Sequence, residues 1–124
     1  KTLLETSLNS GESSHIGGAL SIVDILAVLY NNILNINLDK PADRFILSKG
    51  HGFLALLSAL YCQGYISKKK LMTFQTNGSE FIAHPIENPR YGIESSNGSL
   101  GQGLSFGIGI SLAYKKKSRK ELPY

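Results

Sequence analysis

Residues 44–62 read RFILSKGHGFLALLSALYC, in which three apolar residues after Arg44 are followed by the corner SKGH and then by an uncharged apolar run. The quartet, Arg44 to Leu47, predicts a short buried strand. The run from His51 to Gln63 predicts a helix buried on all sides, and Gly64 suits its C-terminal cap. A strand that leads into a helix is typical of α/β proteins.

The corner itself, residues 48–51, allows two interpretations. A helix N-terminus offers free backbone N–H groups and a partial positive charge, which together hold anions such as phosphate. Gly50 would let the backbone approach such an anion, and His51 would add a directed donor. Alternatively, Ser48 is an ordinary helix cap followed by a convenient glycine.

The sequence before this corner predicts two further helices. Leucines at helical spacing indicate one over residues 1 to about 10, followed by a loop rich in Ser and Gly. Ser21 and Asp24 then match the S-x-x-[DE] capping pattern, which opens a helix that runs to about Leu34. That helix is apolar nearly all round, so we expect it to be buried.

The sequence after the corner predicts a short helix over Ser67 to Phe74, a long loop over residues 75 to 98 and a glycine-rich helix from Leu100 to about Lys117. Long ordered loops in compact proteins are usually functional. Residues 121–124 are compatible with the start of a strand. The alternation of elements indicates α/β, with most of the chain helical.

The glycine-rich helix has a face of small residues, with Gly103, Gly107 and Ser111 at four-residue spacing. Glycine in a helix interior costs about 1 kcal/mol relative to alanine, so this face predicts a closely packed partner, either an intrachain helix or a second subunit. The preceding loop does not match a nucleotide-binding signature. Phe106 stands where G-x-G-x-x-G needs its third glycine, and the chain has no P-loop motif.

Composition favours a cytoplasmic globular protein. Apolar residues make up 42% of the 124 residues, enough for a sizeable core, and the longest charge-free stretches are too short to span a membrane. The single cysteine, Cys62, cannot form an internal disulfide. The net charge of +4 is concentrated in residues 68–70 and 115–120. These clusters lack interleaved aromatic residues, so we expect solvated faces and no nucleic-acid binding, although a basic nucleic-acid binder is the alternative.

The three histidines, His15, His51 and His84, lie in loops or junctions rich in small residues. Histidine suits proton transfer and hydrogen bonding to sugar hydroxyls because its pKa lies near neutrality. Zinc binding by the three is disfavoured because no two of them have the close spacing of a metal-binding pair. Any one of them taken alone would more often be structural.

Four stretches taken together resemble transketolases, which are thiamine-diphosphate enzymes: SSHIGGALSIVDILAVLY, PADRFILSKGH, the AHP loop and IESSNGSLGQGLSFGIGISLA. Their order and separation match that family along nearly the whole chain. The resemblance implies an incomplete thiamine-diphosphate-binding domain over residues 1–124. Its fold would be the N-terminal portion of an α/β fold in which helices flank a parallel sheet.

The resemblance also implies roles for individual residues. His51 would contact the diphosphate of the cofactor, and the backbone of Gly98 and Leu100 would hold its aminopyrimidine end. His15 and His84 would line the substrate channel, bond to the sugar hydroxyls and assist proton movements. The family transfers a two-carbon ketol unit from a ketose phosphate to an aldose, and its cofactor lies between two domains or subunits.

The chain departs from the family pattern in small and large ways. Ser14 and Ile16 replace a usual glycine and proline, Ala83 replaces a glycine, and Asn97 stands where threonine is common. The G-D-G…N motif, which would hold Mg²⁺ against the diphosphate, does not occur in this sequence, so the chain supplies none of those metal ligands. The glutamate that activates the aminopyrimidine would belong to the second half of the enzyme.

We therefore expect a transketolase N-terminal part that needs the metal motif and a partner for activity. The partner would be a second copy in a homodimer or a C-terminal transketolase subunit, and the substrate a sugar phosphate. As this isolated chain it would be inactive and bind the cofactor weakly, because a divalent cation is a major part of diphosphate binding. The alternative is a non-catalytic assembly fragment that has lost the cofactor site.

Overall fold

A computed structural model of the chain describes residues 1–36 and 43–121. The described part contains six α-helices: α1 (Thr2–Ser10), α2 (Ile16–Leu20), α3 (Val23–Val28), α4 (Phe53–Cys62), α5 (Lys68–Leu71) and α6 (Gln102–Glu121). A π-helical turn, Leu29–Ile33, continues α3, and short 3-10 turns occupy Gly50–Gly52 and Pro89–Tyr91. None of the helices in these ranges is both long and apolar enough to cross a membrane.

The centre of the fold is α4, which packs against α1, α2, α3 and α5. Five successive residues, Phe53 to Leu57, are each at most 4% exposed, so every side of the helix is covered. This confirms the prediction of a helix buried all round. Gly64 follows the helix with a φ of +79° and donates its N–H to the carbonyl of Tyr61, as expected of a C-terminal glycine.

The prediction for residues 21–34 was wrong in two respects. The helix begins earlier, at Ile16, and is interrupted at residues 21–22. Ser21 does not cap α3, because its hydroxyl donates to the carbonyl of Gly18. Nor is the segment buried all round: Ile25, Val28 and Ile33 are 59%, 50% and 62% exposed. One side of it packs on α4, and the opposite side is open to solvent in the described structure.

The predicted sheet is not confirmed. Arg44 to Leu47 has no regular secondary structure and pairs with no strand within the described ranges, and the one β-bridge there joins Asn88 to Ile93 in the long loop. A strand needs a hydrogen-bonded neighbour, which the described residues do not provide. Glu121 is the last residue of α6, so a strand does not begin there, and residues 122–124 lie outside the described part.

The remaining elements follow the sequence closely. Ser67 caps α5 by accepting a hydrogen bond from the backbone of Lys70, although the helix ends at Leu71 and continues only as turns toward Phe74. The loop over residues 75–98 is anchored in the core by Phe81 and Ile93, which are at most 2% exposed. The loop is therefore packed, which gives its polar residues fixed positions.

The small-residue face of α6 meets the segment of residues 46–48, which is not helical. A Cβ added to Gly103 would lie 2.5 Å from the Cα of Ser48, and one added to Gly107 would lie 3.4 Å from the side chain of Ile46. A groove of about 370 Å³ remains between this segment and α6, reaching as far as Ser111. The first turn of α6 is thus fixed directly beside the SKGH corner.

Candidate functional site

The fold brings together the three histidines, which come from separate parts of the chain. His15 precedes α2, His51 lies in the 3-10 turn that leads into α4, and His84 belongs to the long loop. Their ring centroids are 4.6 Å (His15–His51), 4.7 Å (His51–His84) and 5.2 Å (His15–His84) apart. No side-chain hydrogen bond within the described residues connects one ring to another.

Close contacts at two glycines hold the histidine-bearing segments together. A Cβ on Gly50 would lie 2.2 Å from the carbonyl oxygen of Asn97 and 3.3 Å from the ring of His84. A Cβ on Gly18, in α2, would lie 3.3 Å from the carbonyl oxygen of His51. A side chain at Gly50 would force the two backbones apart, and one at Gly18 would require a smaller shift, so both contacts bear on how closely the three rings approach one another.

A second set of contacts joins the SKGH corner to the start of α3. Gly52 lies against Ile22, because a Cβ at Gly52 would come within 2.3 Å of that side chain. The ammonium group of Lys49 donates to the hydroxyl of Ser21 at 2.7 Å. In this structure the lysine of the corner therefore serves as a tether between segments.

The SKGH corner is not an ordinary helix cap. Ser48 does not cap the helix, since neither the 3-10 turn nor α4 has a side-chain cap. Residues 50–52 form the turn, and the Gly52 N–H is bonded to the carbonyl of Lys49. His51 Nδ1 is buried and has no hydrogen-bond partner in the described structure. A buried nitrogen of this kind is costly unless a ligand or water completes it.

Burial lowers the pKa of His84, and the neighbouring rings of His51 and His15 lower it further. A second positive charge is disfavoured beside other imidazoles, so His84 is neutral at physiological pH. A neutral imidazole has one N–H donor and one bare acceptor nitrogen. It can therefore donate a hydrogen bond to a hydroxyl group or accept one from it, and it can accept a proton.

The loop that contains Gly98 and Leu100 is held next to the histidines by Asn97, which is 3% exposed. The Asn97 backbone N–H donates to the carbonyl of Pro85, the residue after His84, and its side chain donates to Ser95. Beyond Asn97 the chain opens to solvent. A Cβ on Gly98 would meet nothing within 4 Å, and Leu100 is 68% exposed.

Sequence reasoning missed the central position of Asn97. In the sequence it is only a departure from a family pattern, whereas the structure shows that its carbonyl lies against Gly50 and that it links two loops. An asparagine just before a glycine in a long loop was the available signal. That signal alone does not identify which other segments the residue joins.

A second cavity, of about 200 Å³, lies away from the histidines between α1, α3 and α4. Its lining includes Tyr30, Ser58 and Cys62, and none of the three histidines borders it. Burial raises the pKa of Tyr30, whose hydroxyl has no partner in the described structure. The cavity has no cluster of potential catalytic groups, so the histidine cluster is the candidate site.

Comparison with known proteins connects this geometry to one family. Residues 2–121 match the family model described as "Transketolase, thiamine diphosphate binding domain". The chain is 43% identical over 109 residues to an apulose-4-phosphate transketolase subunit of Phocaeicola vulgatus, a match that covers 84% of this chain and 38% of that protein.

Two further relatives have related names. The chain is 41% identical over 103 residues to the 6-deoxy-6-sulfo-D-fructose transketolase subunit SqwG of Clostridium sp., covering 80% of this chain and 38% of the relative. It is 36% identical over 118 residues to the transketolase of Treponema pallidum, covering 91% of this chain and 18% of the relative. The chain thus spans well under half the length of these relatives.

Proposed function

Since the chain belongs to the transketolase family and matches its thiamine-diphosphate-binding domain, we propose that it is the N-terminal part of an enzyme that transfers a two-carbon ketol unit. The donor would be a ketose phosphate and the acceptor an aldose. The observation that carries this proposal is the convergence of three imidazoles beside an exposed glycine loop, in a chain whose relatives are transketolases.

His51 is proposed to contact the diphosphate of the cofactor. Its buried Nδ1 lacks a partner, and a phosphate oxygen would provide an acceptor if that nitrogen carries the proton. His51 therefore fits a role in binding the diphosphate of thiamine diphosphate. When bound, thiamine diphosphate would supply the carbon nucleophile that carries the ketol unit, which no side chain of this sequence supplies.

His15 and His84 are proposed to bind the sugar hydroxyls and to hold or move a proton near the carbonyl. His15 is exposed, so it can meet a substrate that enters from solvent, and its ring is next to His51. The lowered pKa of His84 keeps it neutral and able to accept a proton. Positioned acid–base groups of this kind typically contribute about 10²- to 10⁴-fold to a rate.

The backbone of Gly98 and Leu100 is proposed to hold the aminopyrimidine end. The open space in front of Gly98 leaves room for a planar ring, and Asn97 fixes the loop from behind. Backbone N–H and C=O groups would then provide the donor and acceptor that an aminopyrimidine needs.

The divalent cation of the family finds no fitting ligands in the described residues. The one cluster there of potential metal ligands consists of three imidazoles, whereas Mg²⁺ prefers oxygen ligands. We therefore propose that the chain alone binds the cofactor weakly and does not catalyse transfer. Activity would require the metal motif and a partner, either a second copy or a C-terminal transketolase subunit, in the cytoplasm.

A chimera tests this proposal. Residues 2–121 replace the matching segment in the apulose-4-phosphate transketolase subunit of Phocaeicola vulgatus, and the product is combined with the complementary part of that enzyme. We expect ketol transfer. His51→Gln should raise the cofactor concentration needed for half-maximal rate, while His15→Gln and His84→Gln should lower kcat at saturating cofactor by about 10²-fold or more.

Lys69→Gln, at an exposed lysine of α5, is the matched control and should leave both the half-saturating cofactor concentration and kcat unchanged. A folded chimera without transfer activity would refute the catalytic proposal and favour an assembly fragment. Cofactor binding by the 124-residue chain as tight as that of a complete transketolase would contradict the proposed need for further residues.

A further inference from the structure

One side-chain amide joins the segment that carries His15 to the long loop that carries His84. Gln75, at the start of that loop, donates a hydrogen bond from its Nε2 to the backbone carbonyl of Ser13 at 3.2 Å. Ser13 lies two residues before the first histidine in the chain. The bond therefore connects the two segments whose imidazole rings have centroids 5.2 Å apart.

We propose that Gln75 is a positioning residue that holds His15 beside His84 for the reaction. This inference rests on the proposed function, in which the two imidazoles bind the sugar hydroxyls and hold or move a proton. Gln75 acts through the Ser13 carbonyl and not through the sugar. Such support matters because a displacement of a catalytic group by about 1 Å can lower a rate by about 10²-fold.

The backbone of Gln75 has a conformation that glutamine rarely adopts. In the part of the chain that the structure describes, it is the one non-glycine residue with a positive φ, +55°. Its N–H donates to the carbonyl of Phe81 at 2.7 Å, and Phe81 is fully buried, so the turn is anchored in the core. Strained residues of this kind persist only where their surroundings enforce them, and they concentrate at functional sites.

The side-chain amide of Gln75 has a fixed direction. Only its Nε2 can donate to a carbonyl, so the bond to Ser13 decides which end of the amide points there. The other end, Oε1, is buried without a partner in the described structure, which is unfavourable. Glycine would adopt the positive φ without strain and would leave no such oxygen. Stability alone therefore does not account for a glutamine at this position.

Two neighbouring contacts stiffen the same joint. The hydroxyl oxygens of Ser7 and Ser14 are 2.6 Å apart, and Ser7 is a buried residue of α1. Asn9, also in α1, donates to the carbonyl of Met72 at 3.0 Å. The segment before the first histidine is thus held by α1 on one side and by Gln75 on the other.

The test compares two glutamines that each donate one side-chain hydrogen bond. Gln75→Ala keeps the Cβ and removes the amide. Gln63→Ala is the matched control, since Gln63 Nε2 donates to Asn31 at 2.8 Å beside the second cavity, away from the histidines. In the chimera that contains residues 2–121, Gln75→Ala should lower kcat about tenfold to a hundredfold at saturating cofactor. It should leave the half-saturating cofactor concentration unchanged, and Gln63→Ala should change neither quantity.

A double variant separates positioning from a general loss of order. If Gln75 acts through His15, Gln75→Ala should cause no further loss of kcat in the His15→Gln background, because residues that act as one unit are not additive. An equal loss in both backgrounds, or an unchanged kcat in Gln75→Ala, would overturn the proposal. If circular dichroism shows that Gln75→Ala is unfolded, Gln75→Gly takes its place, since glycine adopts the same φ without strain.

NMR of the 124-residue chain keeps this outcome separate from the proposed function. Through-space contacts between the ring protons of His15 and His84 should be present, should disappear in Gln75→Ala and should persist in Gln63→Ala. A folded chimera that transfers no ketol unit would refute the proposed function. Contacts that persist unchanged in Gln75→Ala would instead refute the positioning role.

Discussion

The contact between Gly50 and Asn97 gives the sharpest test of how the site is assembled. Gly50→Ala places a methyl group 2.2 Å from the backbone oxygen and 2.9 Å from the backbone carbon of Asn97. Both atoms belong to the main chain of a buried residue, so they cannot swing aside as a flexible side chain would. Overpacking of this kind costs typically about 1–3 kcal/mol, and the loops must separate to relieve it.

The assay is urea unfolding followed by circular dichroism. With a slope of about 1–2 kcal/mol per molar urea for a chain of this size, a loss of about 1–3 kcal/mol lowers the midpoint by roughly 0.5–3 M. The His84 ring, 3.3 Å from the added methyl position, should also shift its NMR resonances as it moves away from His51.

Gly109→Ala is the matched control. A Cβ there meets nothing within 4 Å, and the residue lies inside α6, where alanine is favoured over glycine by up to about 1 kcal/mol. Its midpoint should therefore stay constant or rise. If Gly50→Ala unfolds at the same urea concentration as Gly109→Ala, the close approach of the two loops is not what holds the histidines together.

Three further outcomes follow from burial and hydrogen bonding. Because the folded state lowers the pKa of His84, the unfolded chain binds more protons there. Stability should thus fall as the pH drops below about 6.5 and should level off below the folded pKa of His84. In a pH series of urea midpoints, His84→Gln should flatten this part of the curve. An unchanged slope in the variant would contradict the lowered pKa. Tyr30→Phe removes a buried hydroxyl without a partner in the described structure, so the free energy of unfolding should stay the same or rise. Tyr65→Phe removes a hydrogen bond to the carbonyl of Ile36 and should lower the free energy of unfolding by about 1 kcal/mol. Thermal unfolding that ranks the two variants in the reverse order would refute this reasoning. Leu57→Ala, at a fully buried position of α4, should cost about 2–5 kcal/mol in the same assay, while Ile25→Ala, at a 59% exposed position, should cost well under half as much.

Much of the fold was predictable from local pattern. The uncharged run after SKGH predicted the buried α4, and its end at Gly64 followed from the need for a left-handed residue there. The wrong predictions concern features that depend on the neighbours of an element, namely where a helix starts and how many of its sides are covered. The capping pattern at Ser21 was overridden by an earlier helix start, and the apolar segment that follows it, predicted to be buried, packs on α4 with one side only.

The sequence by itself determined the candidate residues: three histidines set among small residues, with motifs that resemble one family in order and spacing. Only the tertiary structure decided that the three rings meet, because their proximity depends on backbone approaches at Gly18 and Gly50 between segments distant in the chain. Spacing along the sequence could not indicate that the rings are close together. A spacing rule detects side chains that are close because they lie on the same helix or loop, whereas these three rings become neighbours only when separate segments pack against one another.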